Sequence, residues 1–212
     1  MILIAKTYDK IGNMKKEIDF RKTVFWGVAA SVKSCPEPDR PEVVLSGKSN
    51  VGKSSLLNVL VDNRKMARVS SAPGKTRLVV YFDVDGAFYL ADLPGYGFAK
   101  APKEEIAKFS ALTDSYFASG RPICLIVHLL DVRHPPTKED EMMIRYLRDK
   151  GLPFLIVFTK LDKLSRSQAL TQMRSTMKGL AMADVPYYGV SALKKTGLQE
   201  LRDAISDYVM SE

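Results

Sequence analysis

Gly47-Lys48-Ser49-Asn50-Val51-Gly52-Lys53-Ser54 puts glycines at both ends of a short polar loop and closes it with a Lys-Ser pair. This set suits one kind of chemistry, the grip on a polyphosphate. The glycines let successive backbone N–H groups turn toward an anion, and the positive end of a following helix dipole favours the same charge. Lys53 would reach the outer phosphates, and the Ser54 hydroxyl would be a ligand of the Mg²⁺ that accompanies them. A Gly-rich turn with an incidental lysine is the alternative. Against it, an apolar run at Val43–Leu45 precedes the loop and a helical pattern at Ser55–Val61 follows it.

Four further short sites fit the same ligand. Asp92 ends a second apolar run and opens Asp92-Leu93-Pro94-Gly95; its carboxylate is placed to hold Mg²⁺ through water, and the Gly95 N–H can meet a terminal phosphate. Gly74-Lys75-Thr76 lies in a polar stretch, Asp62–Thr76, that lacks periodicity and reads as a mobile loop. Thr76 would offer its hydroxyl to the ion only when a third phosphate is present. In Thr159-Lys160-Leu161-Asp162, the Asp162 carboxylate is a natural acceptor for the two N–H donors on the edge of guanine, a pair that adenine lacks. Ser191-Ala192-Leu193 follows a strand ending at Val190, where a backbone N–H can meet the guanine carbonyl.

The elements needed to carry these sites are legible in outline. Apolar strands alternate with amphipathic helices: helices over 102–118, 138–150, 166–179 and 197–209, strands over 123–130, 154–159 and 187–190. Strands over 78–84 and 88–91 meet at Asp85-Gly86, so this pair is antiparallel. The expectation is an α/β fold with a mainly parallel six-stranded sheet, one strand antiparallel, helices on both faces, and ligands at the carboxyl ends of the strands. Residues 1–41 read as an N-terminal extension that docks on a main domain over 42–212. Phe20, Val24, Phe25 and Trp26 supply its apolar contacts, and Cys35-Pro36-Glu37-Pro38 supplies turn chemistry.

Composition narrows the class. With 212 residues, 46% hydrophobic and 26% charged, the chain suits one folded domain plus appendages, not disorder. The net charge of +8 and pI near 9.4 suggest an anionic partner such as RNA or an acidic membrane surface, with solubility as the bland reading. Cys35 and Cys124 build neither a disulfide framework nor a metal set. Met1–Ala5 lacks the pattern of a signal peptide, and the run Ile123–Leu130 is too short to span a bilayer. A cytoplasmic protein, monomeric and not membrane-bound, is expected.

Gly-Lys-Ser-Asn-Val-Gly-Lys-Ser-Ser, Pro-Gly-Lys-Thr and Asp-Leu-Pro-Gly-Tyr-Gly, in this order and followed by Thr-Lys-Leu-Asp and Ser-Ala-Leu, resemble the EngB/YsxC/YihA family of ribosome-biogenesis GTP-binding proteins. The similarity runs from about residue 20 to the C-terminus and includes Asp131-Val132-Arg133-His134-Pro135-Pro136. The resemblance implies a P-loop GTPase that cycles between GTP and GDP and acts with rRNA and ribosomal proteins in assembly of the large ribosomal subunit. Carried over by position, Gly47 to Ser55, Gly74 to Thr76, Asp92 to Gly95, Thr159, Lys160, Asp162, Val190, Ser191 and Ala192 bind nucleotide. Lys53, Thr76 and Gly95 would act on the transferred phosphate, and Ser54, Thr76 and Asp92 would serve Mg²⁺. Many GTPases place a glutamine after the Asp-x-x-Gly to orient the attacking water; here Tyr96 stands there, so intrinsic hydrolysis should be slow. Asn50 suggests a K⁺ ion against the phosphates, with a loop-stabilising side chain as the alternative. Arg133 and His134 are expected to make structural bonds near the switch loops, and His128 to be a satisfied core histidine. Lys100, Lys103, Lys194 and Lys195 are candidates for an RNA-facing surface. A P-loop kinase and a non-catalytic nucleotide scaffold are the rival functions.

Overall fold

A strand covered on both faces carries a near-continuous apolar run, as 43–45 and 154–158 do, and β2 (Glu42–Gly47) and β6 (Phe154–Thr159) are buried along their whole length. The computed structural model describes residues 17–69, 78–97 and 111–211. Within them, β1 (Thr23–Ala29), β2, β3 (Val79–Val84), β4 (Phe88–Asp92), β5 (Ile123–Asp131), β6 and β7 (Tyr187–Gly189) form one sheet in the order β1-β3-β4-β2-β5-β6-β7. β3 pairs antiparallel with β1 and β4, and every other pairing is parallel.

Alternate strand residues feed two cores. Val43, Leu45, Leu125, Val127, Leu155 and Val157 pack on one side with α1 (Lys53–Leu60) and α6 (Leu198–Met210). Val44, Ile126, Ile156 and Phe158 pack on the other with residues 111–117 (α3), α4 (Lys138–Asp149) and α5 (Arg166–Gly179). This is the period of two along a strand expressed as two hydrophobic layers. The β3–β4 turn places Asp85 at φ 53 and Gly86 at φ 65, the left-handed pair that a tight hairpin needs.

The expected six strands become seven. Part of the N-terminal stretch read as a docking arm is the edge strand β1, hydrogen-bonded to β3. Gly27 and a bulge between Phe25 and Gly27 break the alternation that would have marked it as a strand. A short helix, α2 (Met66–Val69), likewise occupies part of the stretch read as a loop. Gly74, Lys75, Thr76, Lys100 and Lys103, and the start of the helix expected from 102, lie outside the described residues. Among those described, no helix is long and apolar enough to cross a membrane.

At the amino edge of β2, Glu42 is fully buried but not unpaired. Arg121 donates to its Oε1, and the Tyr116 hydroxyl donates to Oε2 at 2.5 Å. This joins β2, the lead into β5 and α3. Because β2, β4, β5 and β6 are parallel, Gly47, Asp92, Asp131 and Thr159 all finish on the opposite edge.

Candidate nucleotide-binding site

The loop after β2 enters α1 through Gly52 at φ 116, which supplies no side-chain cap. The first-turn N–H groups of a helix have no intrahelical acceptor, so this end of α1 is an opening for an anion. Two loop amides are already committed. Ser49 N–H donates to the Tyr96 carbonyl at 2.8 Å, and Val51 N–H to the Lys48 carbonyl at 3.1 Å. The cradle is therefore narrower than Gly47 to Ser55 as a whole, and centres on the start of α1.

The end of β4 lies against this loop. Lys48 and Tyr96 form a parallel bridge, and a Cβ on Gly95 would stand 3.0 Å from both Cα and N of Ser49, so a side chain there would press the two loops apart by a few tenths of an ångström. Leu93 is held by its N–H to the Leu45 carbonyl and, with Pro94, lies buried beneath the loop. Lys53 Nζ stands 3.9 Å from Asp92 Oδ1, an ion pair too long for a hydrogen bond, and that buried oxygen has no hydrogen-bond partner among the described residues. Burial raises the Asp92 carboxyl, and the Lys53 charge opposes the rise.

Tyr96 turns inward. Its hydroxyl donates to Asp140 Oδ1 at 2.5 Å and lies 3.3 Å from His128 Nε2, with the Tyr96 and His128 rings stacked at 6.2 Å. Asp140 also accepts from the Thr137 N–H and hydroxyl, the capping box that starts α4. Burial depresses His128 to a pKa of about 4 despite the nearby Asp140 charge, so the ring is neutral. Its Nδ1 is buried without a described partner, which departs from the expected satisfied histidine. Burial, the Asp140 charge and its hydrogen bond keep the Tyr96 phenol protonated. Turned inward and protonated, Tyr96 is not placed to serve as a base at the loop after β2.

The other end of the site is built on β6 and β7. The Thr159 hydroxyl lies 2.7 Å from the Val51 carbonyl. Lys160, in the left-handed region at φ 62, reaches the Asn50 carbonyl and Asp131 Oδ2, each at 2.8 Å. It thus ties the phosphate loop to the end of β5. Burial would raise the Asp131 carboxyl, but hydrogen bonds from Arg133 and Lys160 outweigh it and hold it well below the usual carboxylate range. Arg133 is spent on its neighbour Asp131, a structural bond at the end of β5 and not the expected one to the switch loop. The Ser191 hydroxyl donates to Asp162 Oδ1 at 2.7 Å and holds that carboxyl below its ordinary value. Ser191 N–H is paired with the Thr196 carbonyl at 3.1 Å, which leaves the Ala192 N–H to meet a base carbonyl. A cavity of about 200 Å³ lined by Gly52, Ser55, Thr159, Asp162, Val190 and Ala192 joins the two ends. The structure thus gathers every predicted position it describes onto one edge. Sequence reasoning missed Asp140: Thr137-x-x-Asp140 signals a helix start, but nothing local shows that its carboxylate also holds Tyr96.

A parallel sheet with a glycine loop at its carboxyl edge, and a carboxylate across the cavity from that loop, defines a P-loop GTPase. The family model described as 50S ribosome-binding GTPase matches residues 42–160. The probable GTP-binding protein EngB of Alkaliphilus metalliredigens (strain QYMF) is 38% identical over 180 residues, 84% of this chain and 86% of that protein. Its namesake from Clostridioides difficile (strain 630) is 40% identical over 171 residues, 80% of this chain and 84% of that protein. The chain belongs to the 50S ribosome-binding GTPase family, among the GTP-binding proteins called EngB. Two solved structures share the fold. A probable GTP-binding protein engB has a TM-score of 0.67 at 22% identity, covering 81% of this chain and 100% of its own. Aquifex aeolicus Era bound to GDP·AlF4⁻ has a TM-score of 0.62 at 22% identity, covering 80% and 57%.

Proposed function

We propose that this GTPase binds GTP·Mg²⁺ across the carboxyl edge of the sheet, hydrolyses it slowly, and uses its two nucleotide states to govern docking on the large ribosomal subunit during assembly. One observation carries the reading: an uncapped glycine-led helix start and a Ser191-oriented carboxylate share one cavity. The first suits phosphates, and the second suits the paired N–H donors of guanine. Lys53 and the first-turn amides of α1 stabilise charge on the transferred phosphoryl group, and the Gly95 N–H meets the γ-phosphate. Asp92 Oδ1 is a buried carboxylate oxygen with no hydrogen bond from a described residue, only the ammonium of Lys53 at 3.9 Å, which fits a cation site. Ser54 would hold Mg²⁺ directly, Asp92 through water, and Thr76 in the triphosphate state. When bound, the ion would neutralise charge on the β- and γ-phosphate oxygens. Loss of the γ-phosphate frees Gly95 and Thr76, so partner affinity follows nucleotide state.

The inward Tyr96 supports slow intrinsic turnover. K⁺ beside Asn50 would supply some of the missing positive charge, and equal turnover in KCl and NaCl at matched ionic strength dismisses that role. The family's description as ribosome-binding, together with the net charge of +8, supports a large-subunit client. Two experiments test the proposal. Calorimetry should show GTP bound at least about tenfold more tightly than ATP, with the preference lost in Asp162→Asn. Co-sedimentation with large subunits should differ among GTP, GDP and nucleotide-free protein; identical traces would remove the switch.

A further inference from the structure

The positive charge of this chain is unevenly placed on its helices. α5 carries Arg166, Arg174 and Lys178 and no carboxylate. None of the three enters an ion pair with a described residue. α6, on the opposite face of the sheet, is the reverse: Glu200, Asp203 and Asp207 are exposed, while Arg202 is turned onto the Val59 and Leu60 carbonyls. The first turn of α4 holds Glu139, Asp140 and Glu141, as the helix dipole favours. The first turn of α5 holds Arg166 and no acid, against that preference. A local rule broken this way marks a surface shaped by something other than stability.

The spacing is specific. Arg166, Leu170, Arg174 and Lys178 follow at steps of four and form one oblique ridge; Ser167, Thr171 and Ser175 form the ridge beside it. All seven are exposed. A row of cations beside a row of hydroxyls matches a row of phosphates beside a row of sugar hydroxyls, the backbone that A-form RNA presents along its minor groove. Two other anionic partners fit poorly. Of the apolar residues of α5, Ala169, Met173 and Met177 are buried in the core and Leu170 is exposed alone among polar and charged neighbours, too little apolar surface to enter a membrane. The helix has no aromatic ring on which an unpaired base could stack.

We propose that the outer face of α5 is a docking surface for the phosphate and ribose backbone of double-helical RNA. The choice of RNA among anionic polymers rests on the ribosomal reading above. The test measures binding of the full chain to a labelled RNA hairpin across a salt series. Three proteins are compared: the native chain, Arg166→Glu/Arg174→Glu/Lys178→Glu, and a control, Lys33→Glu/Arg145→Glu/Lys150→Glu, with the same change in net charge. Arg→Gln and Lys→Gln versions of the α5 set are the second variant should reversal impair folding. The α5 variants should lose at least about tenfold in affinity at 0.1 M salt, with a salt slope shallower by about two to three. The control should lose less than about threefold, and all proteins should bind GTP alike. Equal losses in the two reversal sets, no loss in the α5 set, or α5-dependent binding to phosphatidylserine vesicles in place of the hairpin would overturn the proposal. Native protein that binds the hairpin through α5 yet never co-sediments with large subunits would remove the ribosomal client and leave this surface standing.

Discussion

At position 96 a phenol stands where many GTPases keep a glutamine, and its hydroxyl is spent on Asp140, away from the phosphate loop. Tyr96→Phe should therefore cost about 1–3 kcal/mol in urea unfolding, because a buried carboxylate loses a donor. Single-turnover GTP hydrolysis should stay within about twofold of native. A drop beyond tenfold would mean that the hydroxyl acts on the reaction. His128 gives a pH signature. Its pKa falls from 6.5 to about 4 on folding, so the unfolded chain gains the proton first. Stability is unaffected above about pH 7 and falls between pH 6.5 and 4, by up to about 3 kcal/mol at the lower end. Unfolding midpoints measured across that window should flatten in His128→Asn.

Among the elements, the loop after β2 is held from three sides: by β4 through Tyr96, by the Thr159 hydroxyl, and by the Lys160 ammonium. Lys160→Met removes the tie to the Asn50 carbonyl and one partner of Asp131. GTP and GDP affinities should then fall together by about tenfold, near 1.4 kcal/mol, because the loop serves the phosphates common to both. A loss confined to GTP would instead place Lys160 on the γ-phosphate side. At the far edge of the sheet, Arg121→Met leaves Glu42 buried with Tyr116 alone, and should cost about 3–5 kcal/mol in chemical denaturation. Replacing Glu42 with Gln in the same chain should recover much of that loss. A helix start such as Thr137-x-x-Asp140 is readable because the capping box is local, and α5 follows its predicted bounds for the same reason, opening on Ser165 and Gln168. β1 was not readable, because a bulge and Gly27 interrupt its alternation and its evidence for being a strand is the partner β3.

On the scale of the whole molecule, α5 and α6 lie on opposite faces of the sheet and expose opposite charge, and the carboxyl edge of the strands lies between those faces. Asp162 precedes α5 by only a few residues, so a partner held at the start of that helix would sit beside the loop proposed to hold guanine. Linkage then requires that RNA bound there and nucleotide affinity change each other by equal factors. A matched pair of titrations, nucleotide with and without hairpin and the reverse, checks this; unequal factors would show that the two do not share one equilibrium. What the sequence by itself determined is the order and type of the central elements and the chemistry of the strand ends, because side-chain period, turn residues and phosphate-loop spacing all act within a few residues. Tertiary structure alone decided which amides remain for phosphate, which residue Tyr96 binds, and where the free cations collect. The Ser49–Tyr96, Tyr96–Asp140 and Lys160–Asn50 bonds behind the first two outcomes join positions 44 or more residues apart, and all three outcomes depend on strand register or on which helix covers which face.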